Sequence, residues 1–234
     1  LFWVGCAGAT DPGAIKTTKA VAQLLKKAGI SFACLGREEA CTGDPARRIG
    51  DEFLFQEKAM GNAATFERYG VKKVVTACPH CFNTLLNEYG QVGPKMEVWH
   101  HSQLFEKLIS DGKLKPASGG QATFHDPCYL GRVNEESEAP RAVLQGVQLS
   151  EPEHRGRKTL CCGAGGGRMW MEEPPDQRPS VRRAEELLAT GADTVAVGCP
   201  FCRIMLGDSI RQVKPNEEIR LVDLAELLQE SNPG

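Results

Sequence analysis

Segments rich in apolar residues alternate with longer amphipathic segments along this 234-residue chain. Apolar runs of three to five residues, bounded by glycine, proline or polar residues, predict short buried strands. The predicted strands are residues 2–4, 31–35, 73–76, 97–99, 122–125, 194–197 and 219–222. Cys34, within the second of these strands, is therefore expected to be a core residue.

Helices are predicted between the strands, because apolar positions recur there every three or four residues. This alternation is typical of an α/β fold in which helices cover both faces of a parallel sheet. In the long helix predicted for residues 48–69, we expect Phe53, Leu54, Met60 and Phe66 to face the core. The helices are predicted at residues 14–27, 48–69, 81–88, 102–109, 140–144, 179–189, 201–212 and 223–229.

Nine of the ten cysteines form two copies of one pattern, in which matching positions are 120 to 122 residues apart. A nearly constant offset of about half the chain indicates an internal repeat. We therefore expect two tandem, pseudo-repeated Rossmann-like halves, residues 1–117 and 118–234, with a linker at residues 113–120. The first set is Cys6, Cys41, Cys78 and Cys81, and the second set is Cys128, Cys161, Cys162, Cys199 and Cys202.

The cysteines stand where ligands gather in parallel-sheet proteins. Cys6, Cys78, Cys128 and Cys199 closely follow predicted strands, and ligand sites form outside the carboxyl ends of such strands. In both Cys-Pro-x-Cys motifs, the N-terminus of the following helix stabilises thiolates through its backbone N–H groups. Two sets of converging thiolates predict two metal–sulfur sites.

The vicinal pair Cys161-Cys162 indicates the chemistry of the second site. Neighbouring cysteine side chains diverge, so they suit a multi-iron cluster better than one small ion. The glycine-rich run at residues 163–167 lets the backbone approach such a cluster closely. A phosphate loop is disfavoured, because the run lacks both a Gly-Lys-Ser/Thr ending and the dinucleotide-binding spacing.

The composition excludes several classes of protein. With 28 basic and 30 acidic residues, a formal net charge of -2 and no basic stripe, no nucleic-acid partner is expected. No apolar run approaches the roughly 20 residues that cross a bilayer. Ten cysteines beside long helical patterns fit metal binding better than a secreted disulfide scaffold. Because residue 1 is leucine and already part of a predicted strand region, we expect a longer parent chain.

The order Cys, then Cys-Cys-Gly, then Cys-Pro-x-Cys is the most specific signal in the chain. It resembles the CCG-type cysteine-rich domain family, which is also found in heterodisulfide reductase, and the resemblance covers essentially the whole chain. The stretches CTGDPARRIGDEFLFQ, CPHCFNTLLNEY, HHSQL, HDPCYLGR and CCGAGGGRMWMEE look most like one branch of this family. That branch is the C-terminal part of membrane reductases that pass electrons from electron-transfer flavoprotein to menaquinone.

The resemblance implies a noncubane 4Fe-4S cluster at the second set, whose five cysteines match the family motif. The first set departs from this motif. Gly43 aligns with Gly163 and Cys41 with Cys161, so that Thr42 stands in place of the second vicinal cysteine. The four remaining thiolates suit a cubane or smaller iron–sulfur cluster, which we favour, or a tetrahedral zinc ion. An altered cluster with another ligand, or no metal, are further alternatives.

The resemblance also implies electron transfer within an oxidoreductase. The implied donor is electron-transfer flavoprotein or another flavin-containing protein, and the implied acceptor is a quinone such as menaquinone, or a disulfide. Ferredoxin-type and membrane segments of the same longer chain are implied as neighbours, with this part on the cytoplasmic side of the membrane. A zinc-stabilised, non-catalytic interaction module is the main alternative, and a metal-free thiol–disulfide oxidoreductase is a third. The pattern assigns no catalytic residue.

Four further residues are candidates for contacts with the metal sites. His125 and Asp126, just before the first cysteine of the second set, either hydrogen-bond to cluster sulfur and move protons or complete a turn. His80 lies between two expected ligands and either faces the site or is exposed. Thr42 is a candidate because it replaces a cysteine. The histidines at residues 100–101 follow a strand on the same side and are weaker candidates.

Overall fold

Two parallel sheets organise the fold. The computed structural model describes residues 1–233, apart from the side chain of Pro175, with three strands in the first sheet and four in the second. Every hydrogen-bonded pair of strands in this part of the chain is parallel. The predicted α/β class with parallel sheets in two repeats is confirmed. Gly234, the last residue of the expected second half, lies outside the described residues.

The first sheet and its helices lie within residues 1–110. Their bounds are β1 (Phe2–Trp3), α1 (Gly5–Thr10), α2 (Pro12–Lys27), α3 (Asp44–Ile49), α4 (Glu52–Arg68), β2 (Lys73–Thr76), α5 (Pro79–Asn83), β3 (Glu97–His100) and α6 (His101–Ser110). The strand order in this sheet is β1-β2-β3.

The second sheet begins at Ser118, inside the predicted linker. Its elements are β4 (Ser118–His125), α7 (Glu138–Val143), β5 (Gly146–Leu149), α8 (Pro179–Leu188), β6 (Thr194–Val197), α9 (Pro200–Val213), β7 (Arg220–Asp223) and α10 (Leu224–Glu230). The strand order in this sheet is β5-β4-β6-β7. No helix within residues 1–233 has the length and hydropathy needed to cross a membrane.

The pairing of β1 with β2 and of β4 with β6 brings cysteines to one edge of each sheet. β1 pairs with β2 so that Trp3 lies opposite Thr76, and β4 pairs with β6 so that His125 lies opposite Val197. Two or three residues after each of these four strands, the chain reaches a cysteine of the repeat. Because parallel strands end at the same edge of a sheet, the cysteines of each half are brought together there.

One hydrophobic core serves both sheets. A large cluster of buried apolar side chains includes Phe2 and Leu24 from the first repeat and Phe124, Leu224 and Leu228 from the second. Helices α2 and α10 pack against each other in this region. Burial of each such side chain contributes about 1.5–3 kcal/mol. Moving one sheet relative to the other would expose these side chains and destabilise the fold.

The helix predicted for residues 48–69 is two helices, α3 and α4. Gly50 has a left-handed backbone with φ of 92° and follows the last residue of α3. The carboxylate of Asp51 accepts a hydrogen bond from the Leu54 N–H at 3.0 Å and caps α4. A cap of this kind contributes about 1 kcal/mol, so it starts a new helix directly after the break.

The buried face of α4 differs from the predicted one. Phe53, Leu54 and Met60 are 91%, 39% and 53% exposed, so their assignment to the core was wrong, whereas Phe66 is buried. Residues on one helical face recur every three or four positions, and the first three of these residues do not share that spacing with Phe66. The buried residues that do are Phe55, Ala59, Asn62, Ala63 and Phe66.

Residues 31–35 form no strand, so the prediction of a second strand there was wrong. Phe2 N–H donates a backbone hydrogen bond to Ala33 O at 2.9 Å, which holds the segment beside β1. Cys34 is exposed, so its assignment to the core was wrong. The pattern also missed β5, since only Val147 among its four residues is buried and an apolar run is lacking.

We predict that Phe66→Ala destabilises the protein by about 3–5 kcal/mol. The Phe66 ring is fully buried and packs edge-on against Trp3, with ring centroids 5.5 Å apart. Phe53→Ala on the same helix is the matched control, and its effect should stay within about 0.5 kcal/mol because that ring is exposed. Urea unfolding followed by circular dichroism measures both, and equal losses would contradict the observed buried face of α4.

Candidate metal centre

The nine cysteines of the repeat lie together where the two sheets approach each other. Each thiol interacts with at least one other thiol of the two sets, and these interactions form a continuous row from one half to the other. No disulfide forms among the cysteines of residues 1–233. The row runs Cys6, Cys41, Cys81, Cys78, Cys199, Cys202, Cys162, Cys161 and Cys128.

The second site gathers five sulfur atoms. Cys128 Sγ lies 3.8 Å from Cys161 Sγ, and Cys161 hydrogen-bonds in turn with Cys162. Cys202 interacts with both Cys162 and Cys199. Two thiolates bound to one tetrahedral zinc ion at about 2.3 Å are also separated by about 3.8 Å. The distance therefore fits several metals, but the five sulfurs exceed the four that one tetrahedral ion binds.

Cys161 is held as a thiolate. Hydrogen bonds with Cys128 and Cys162 lower the pKa of Cys161 to about 2, and the N–H of Gly163 adds to this effect by donating to Cys161 Sγ at 3.2 Å. The hydrogen bond with Cys161 raises the pKa of Cys128 in return. Since the thiolate is the form that binds metal, this arrangement prepares the site for a cation.

Cys199 joins the two sites. Burial raises the pKa of Cys199, but hydrogen bonds with Cys202 and Cys78 and the N–H groups at the start of α9 outweigh burial and lower the pKa to about 5. Cys78 belongs to the first set, so thiols of the two halves lie close enough to influence each other's pKa. The two metal sites are neighbours, which the sequence pattern did not indicate.

The first site gathers four sulfur atoms and is more open. A hydrogen bond with Cys6 lowers the pKa of Cys41 to about 6, and the Gly43 N–H donates to Cys41 Sγ at 3.4 Å. Cys78 and Cys81 are buried at the beginning of α5, whereas Cys6 and Cys41 are exposed. The site therefore faces solvent on the side of Cys6 and Cys41.

Thr42 occupies in the first site the place that Cys162 occupies in the second. The next residues, Gly43 and Gly163, both have left-handed backbones, with φ of 86° and 82°. Thr42 is buried, and its Oγ1 lies 3.9 Å from Cys81 Sγ, while Cys162 interacts with the last cysteine of its own set. A neutral hydroxyl is a poor ligand for soft metals, so the first site offers four sulfur ligands.

His125 lies beside the second site. Its side chain is fully buried, and one ring nitrogen lies within 4.8 Å of the Sγ atoms of Cys162 and Cys202. Its Nδ1 accepts a hydrogen bond from Arg183 Nε at 2.9 Å. Burial, together with the guanidinium charge, lowers the pKa of His125 to about 3. The imidazole is therefore neutral at ordinary pH.

Arg183 is a site-related residue that the sequence analysis missed. A single arginine in an amphipathic helix is normally exposed, yet the Arg183 side chain is 0% exposed. Arg183 lies on the buried face of α8 with Ser180, Ala184 and Leu187. Its spacing from these residues is the signal by which its burial could have been found.

Asp126 ties the turn before Cys128 to a neighbouring loop. Its carboxylate accepts hydrogen bonds from Arg141 Nη1 and Nη2 at 2.8 and 3.0 Å and from the Gly156 N–H at 2.8 Å. Thr159 Oγ1 donates to the backbone carbonyl of Asp126 at 2.9 Å. These contacts match the second of the two roles considered for Asp126, which is to complete a turn.

His80 is buried and lies at the border between the repeats. Its Nδ1 is 3.0 Å from Asp44 Oδ2, and its ring stacks on Tyr129 with centroids 4.1 Å apart. The ring also lines a narrow cleft together with thiols of the first site. The glycine-rich residues 164–167 and Trp170 line the same cleft, so the first site opens toward a loop of the second repeat.

His100 and His101 form a buried network between the repeats. His101 Nε2 lies 2.9 Å from Asp223 Oδ1, and His101 Nδ1 lies 3.1 Å from His100 Nε2. His100 Nε2 is also 3.1 Å from Gly198 O, just before the second Cys-Pro-x-Cys motif. His100 and Asp223 are the N-caps of α6 and α10, at corresponding places in the repeats. The two halves therefore meet through their helix caps.

The family model described as a cysteine-rich domain, CCG, matches residues 1–86 and 122–207. These two ranges contain all nine cysteines of the repeat. The chain belongs to the CCG family of cysteine-rich domains. The resemblance inferred from the motifs is thereby confirmed, and each repeat corresponds to one CCG match.

Three relatives indicate the proteins in which similar CCG pairs occur. The probable iron-sulfur-binding oxidoreductase FadF of Bacillus subtilis is 45% identical, over 100% of this chain and 34% of FadF. The EtfAB:quinone oxidoreductase of Syntrophomonas wolfei is 40% identical, over 97% and 34%. A component of the dihydromethanophenazine:CoB–CoM heterodisulfide reductase of Methanosarcina barkeri is 33% identical, over 99% and 58%. The chain spans about a third of the length of the first two relatives.

We predict that bound metal protects the CCG cysteines from alkylation but leaves Cys34 reactive. In the metal-free protein, the exposed Cys6, Cys34 and Cys41 should be accessible to iodoacetamide, and Cys41, whose pKa is lowered, should react faster than Cys34, whose pKa is raised by burial. Metal loading should slow the reaction of Cys6 and Cys41 by about tenfold or more, because ligand thiolates are no longer free nucleophiles. Peptide mass spectrometry measures each rate, and Cys34 is the internal control. Unprotected Cys6 and Cys41 would contradict a metal site there.

Proposed function

We propose that this CCG pair is the iron–sulfur electron-transfer part of an oxidoreductase, with a noncubane 4Fe-4S cluster at the second site. The continuous chain of neighbouring thiols that links all five cysteines of the second set is the observation that carries this proposal. The names of the relatives, which describe iron–sulfur binding and the reduction of quinone or heterodisulfide, support electron transfer as the role.

The donor set of the second site fits an iron–sulfur cluster. A single tetrahedral zinc ion binds four of the five thiols and leaves the fifth without a role as a ligand. Soft thiolates are the ligands that iron–sulfur clusters use. Cys162, Cys199 and Cys202 also lie within a buried apolar cluster, which keeps water away from this side of the site.

At the first site we propose a second iron–sulfur cluster held by Cys6, Cys41, Cys78 and Cys81. The proximity of Cys78 and Cys199 supports this choice over zinc, because neighbouring iron–sulfur clusters can exchange electrons and zinc is redox-inert. When bound, clusters of this kind accept and release single electrons. The protein holds the two sites against each other, and its exposed Cys6 and Cys41 provide a side that a redox partner can approach.

We propose a flavin-containing donor such as electron-transfer flavoprotein, and a quinone such as menaquinone or a disulfide as the acceptor. Relatives named EtfAB:quinone oxidoreductase and heterodisulfide reductase support these classes. A relative named a probable membrane-anchored ferredoxin supports ferredoxin-type and membrane segments in the same longer chain. We propose that this part lies on the cytoplasmic side. Within this chain, we place the two repeats at residues 1–117 and 118–234.

A zinc-stabilised interaction module is the alternative function. Four thiolates at the first site favour it, since structural zinc takes four such ligands. Anaerobic purification followed by metal and acid-labile sulfide analysis separates the two functions. A brown protein with iron and sulfide supports electron transfer, whereas a colourless protein that contains zinc supports the module.

We predict that Cys162→Ser removes or converts the second cluster and leaves the metal at the first site in place. Cys162 is one of the five converging ligands, and a serine hydroxyl is a weaker ligand for iron–sulfur chemistry. Iron and sulfide content with electron paramagnetic resonance (EPR) measures the loss. Cys34→Ser, an exposed cysteine outside both sets, is the matched control. Unchanged iron content and spectra in Cys162→Ser would refute the assignment.

We predict that Thr42→Cys completes a five-cysteine set at the first site. The Thr42 side chain already reaches Cys81 Sγ, as Cys162 reaches the last cysteine of its set. In a Thr42→Cys/Cys162→Ser double variant, the EPR signal typical of the second site should reappear from the first. The Cys162→Ser single variant is the control, and identical spectra from the two would contradict the equivalence of Thr42 and Cys162.

A further inference from the structure

An aromatic ring occupies the same position in both repeats, three residues before the first cysteine of each set. Trp3 pairs with Thr76 in the first sheet, and His125 pairs with Val197 in the second. Each strand partner stands two residues before a Cys-Pro-x-Cys motif. Both rings are 0% exposed. Strand register and burial therefore make Trp3 and His125 equivalent residues.

Each of these rings carries one ring nitrogen without a hydrogen-bond partner. Among the described residues, nothing pairs with Trp3 Nε1 or His125 Nε2. Such buried polar atoms are rare in native proteins and call for a partner at the site itself. Trp3 belongs to the same buried cluster as Cys78 and Cys81, and one ring nitrogen of His125 lies within 4.8 Å of the Sγ atoms of Cys162 and Cys202.

The hydrogen bond from Arg183 determines which nitrogen of His125 carries the proton. A guanidinium can only donate, so His125 Nδ1, at 2.9 Å from Arg183 Nε, must present its lone pair. A neutral imidazole has one N–H, which is then on Nε2. His125 Nε2 is therefore a donor and has no lone pair for a metal, and Trp3 Nε1 is likewise only a donor.

We propose that Trp3 and His125 are equivalent N–H donors to the sulfur atoms of the first and second metal sites, and that Arg183 is the positioning residue that fixes the donating tautomer of His125. This inference rests on the proposed function, because it concerns sites loaded with iron–sulfur clusters. Hydrogen bonds to sulfur stabilise the more negative, reduced state and raise the reduction potential. Trp3 thus raises the reduction potential of the first site, and His125 raises that of the second.

The test is the reduction potential of each site in Trp3→Phe and His125→Phe, measured by redox titration monitored by EPR. Each variant keeps a buried ring and loses the N–H. Each should lower the potential of its own site by about 59 mV, a tenfold change in the one-electron equilibrium constant. The potential of the other site should not change. Clusters with unchanged potentials would overturn the donor assignment.

Matched controls distinguish the effect of losing the N–H at the site from the effect of replacing the ring. Trp99→Phe removes an indole N–H that donates to Glu97 at 2.8 Å, and His154→Phe removes an imidazole that is paired with Glu186. Neither should shift either potential. His125→Gln retains an N–H donor and should recover much of the shift seen in His125→Phe. Equal shifts in His125→Gln and His125→Phe would overturn the donor role.

Hyperfine spectroscopy of the wild-type cluster tests the donor role even if a variant fails to fold. We expect an exchangeable proton near the second cluster and no directly bound nitrogen. A bound ¹⁴N would overturn the assignment of His125. Arg183→Met should weaken the proton coupling, whereas Arg183→Lys, which keeps a charge and a donor, should retain it. An unchanged coupling in Arg183→Met would overturn the positioning role.

The iron and sulfide content of the wild type distinguishes the two levels of inference. A wild-type protein without iron and sulfide would overturn the proposed function and, with it, the donor assignment. Intact clusters whose reduction potentials are unchanged in Trp3→Phe and His125→Phe would overturn the donor assignment alone. Intact clusters with selective shifts support both.

Discussion

Repulsion between closely packed thiolates is the constraint on which the metal centre depends. The pKa of Cys161 and of Cys199 is lowered, while hydrogen bonds with neighbouring thiols and burial raise the pKa of Cys162 and of Cys202. Without a cation, the row of sulfurs can ionise only in part. Metal ions relieve this repulsion, because each cation pairs with several thiolates. Metal binding and the stability of the sulfur row are therefore linked.

The repeat supplies the same backbone twice but with different chemistry at each site. Both sets end in a Cys-Pro-x-Cys turn at a helix N-terminus, and both have a left-handed glycine two residues after a distal cysteine. At the variable positions, Thr42 corresponds to Cys162 and Trp3 corresponds to His125, which is backed by the charge of Arg183. One site is thus open and has four sulfurs, and the other is more buried and has five. The two sites therefore differ both in the number of sulfur ligands that they offer and in their exposure to solvent.

Local patterns predicted the fold class and the two groups of cysteines, because strand–helix alternation and a constant offset are properties of the sequence itself. The contact between Cys78 and Cys199 could not be predicted in this way, since it depends on how the two sheets face each other. The spacing of Arg183 along α8 indicates its burial, but its hydrogen bond with His125 depends on tertiary packing and could not be predicted. The face of α4 was misassigned because its apolar residues lie on two sides, and only tertiary packing selects between them.

The shared hydrophobic core holds the two repeats in a fixed arrangement. Separation of the two halves would break the Cys78–Cys199 interaction, the hydrogen bond between His101 and Asp223 and the contacts between α2 and α10. It would also expose the apolar cluster that both halves build, at a cost of about 25 cal/mol for each Å² of apolar surface. Two separate copies of the cysteine-rich domain would meet only by diffusion. Fusion through one core instead fixes the spacing of the two groups of cysteines.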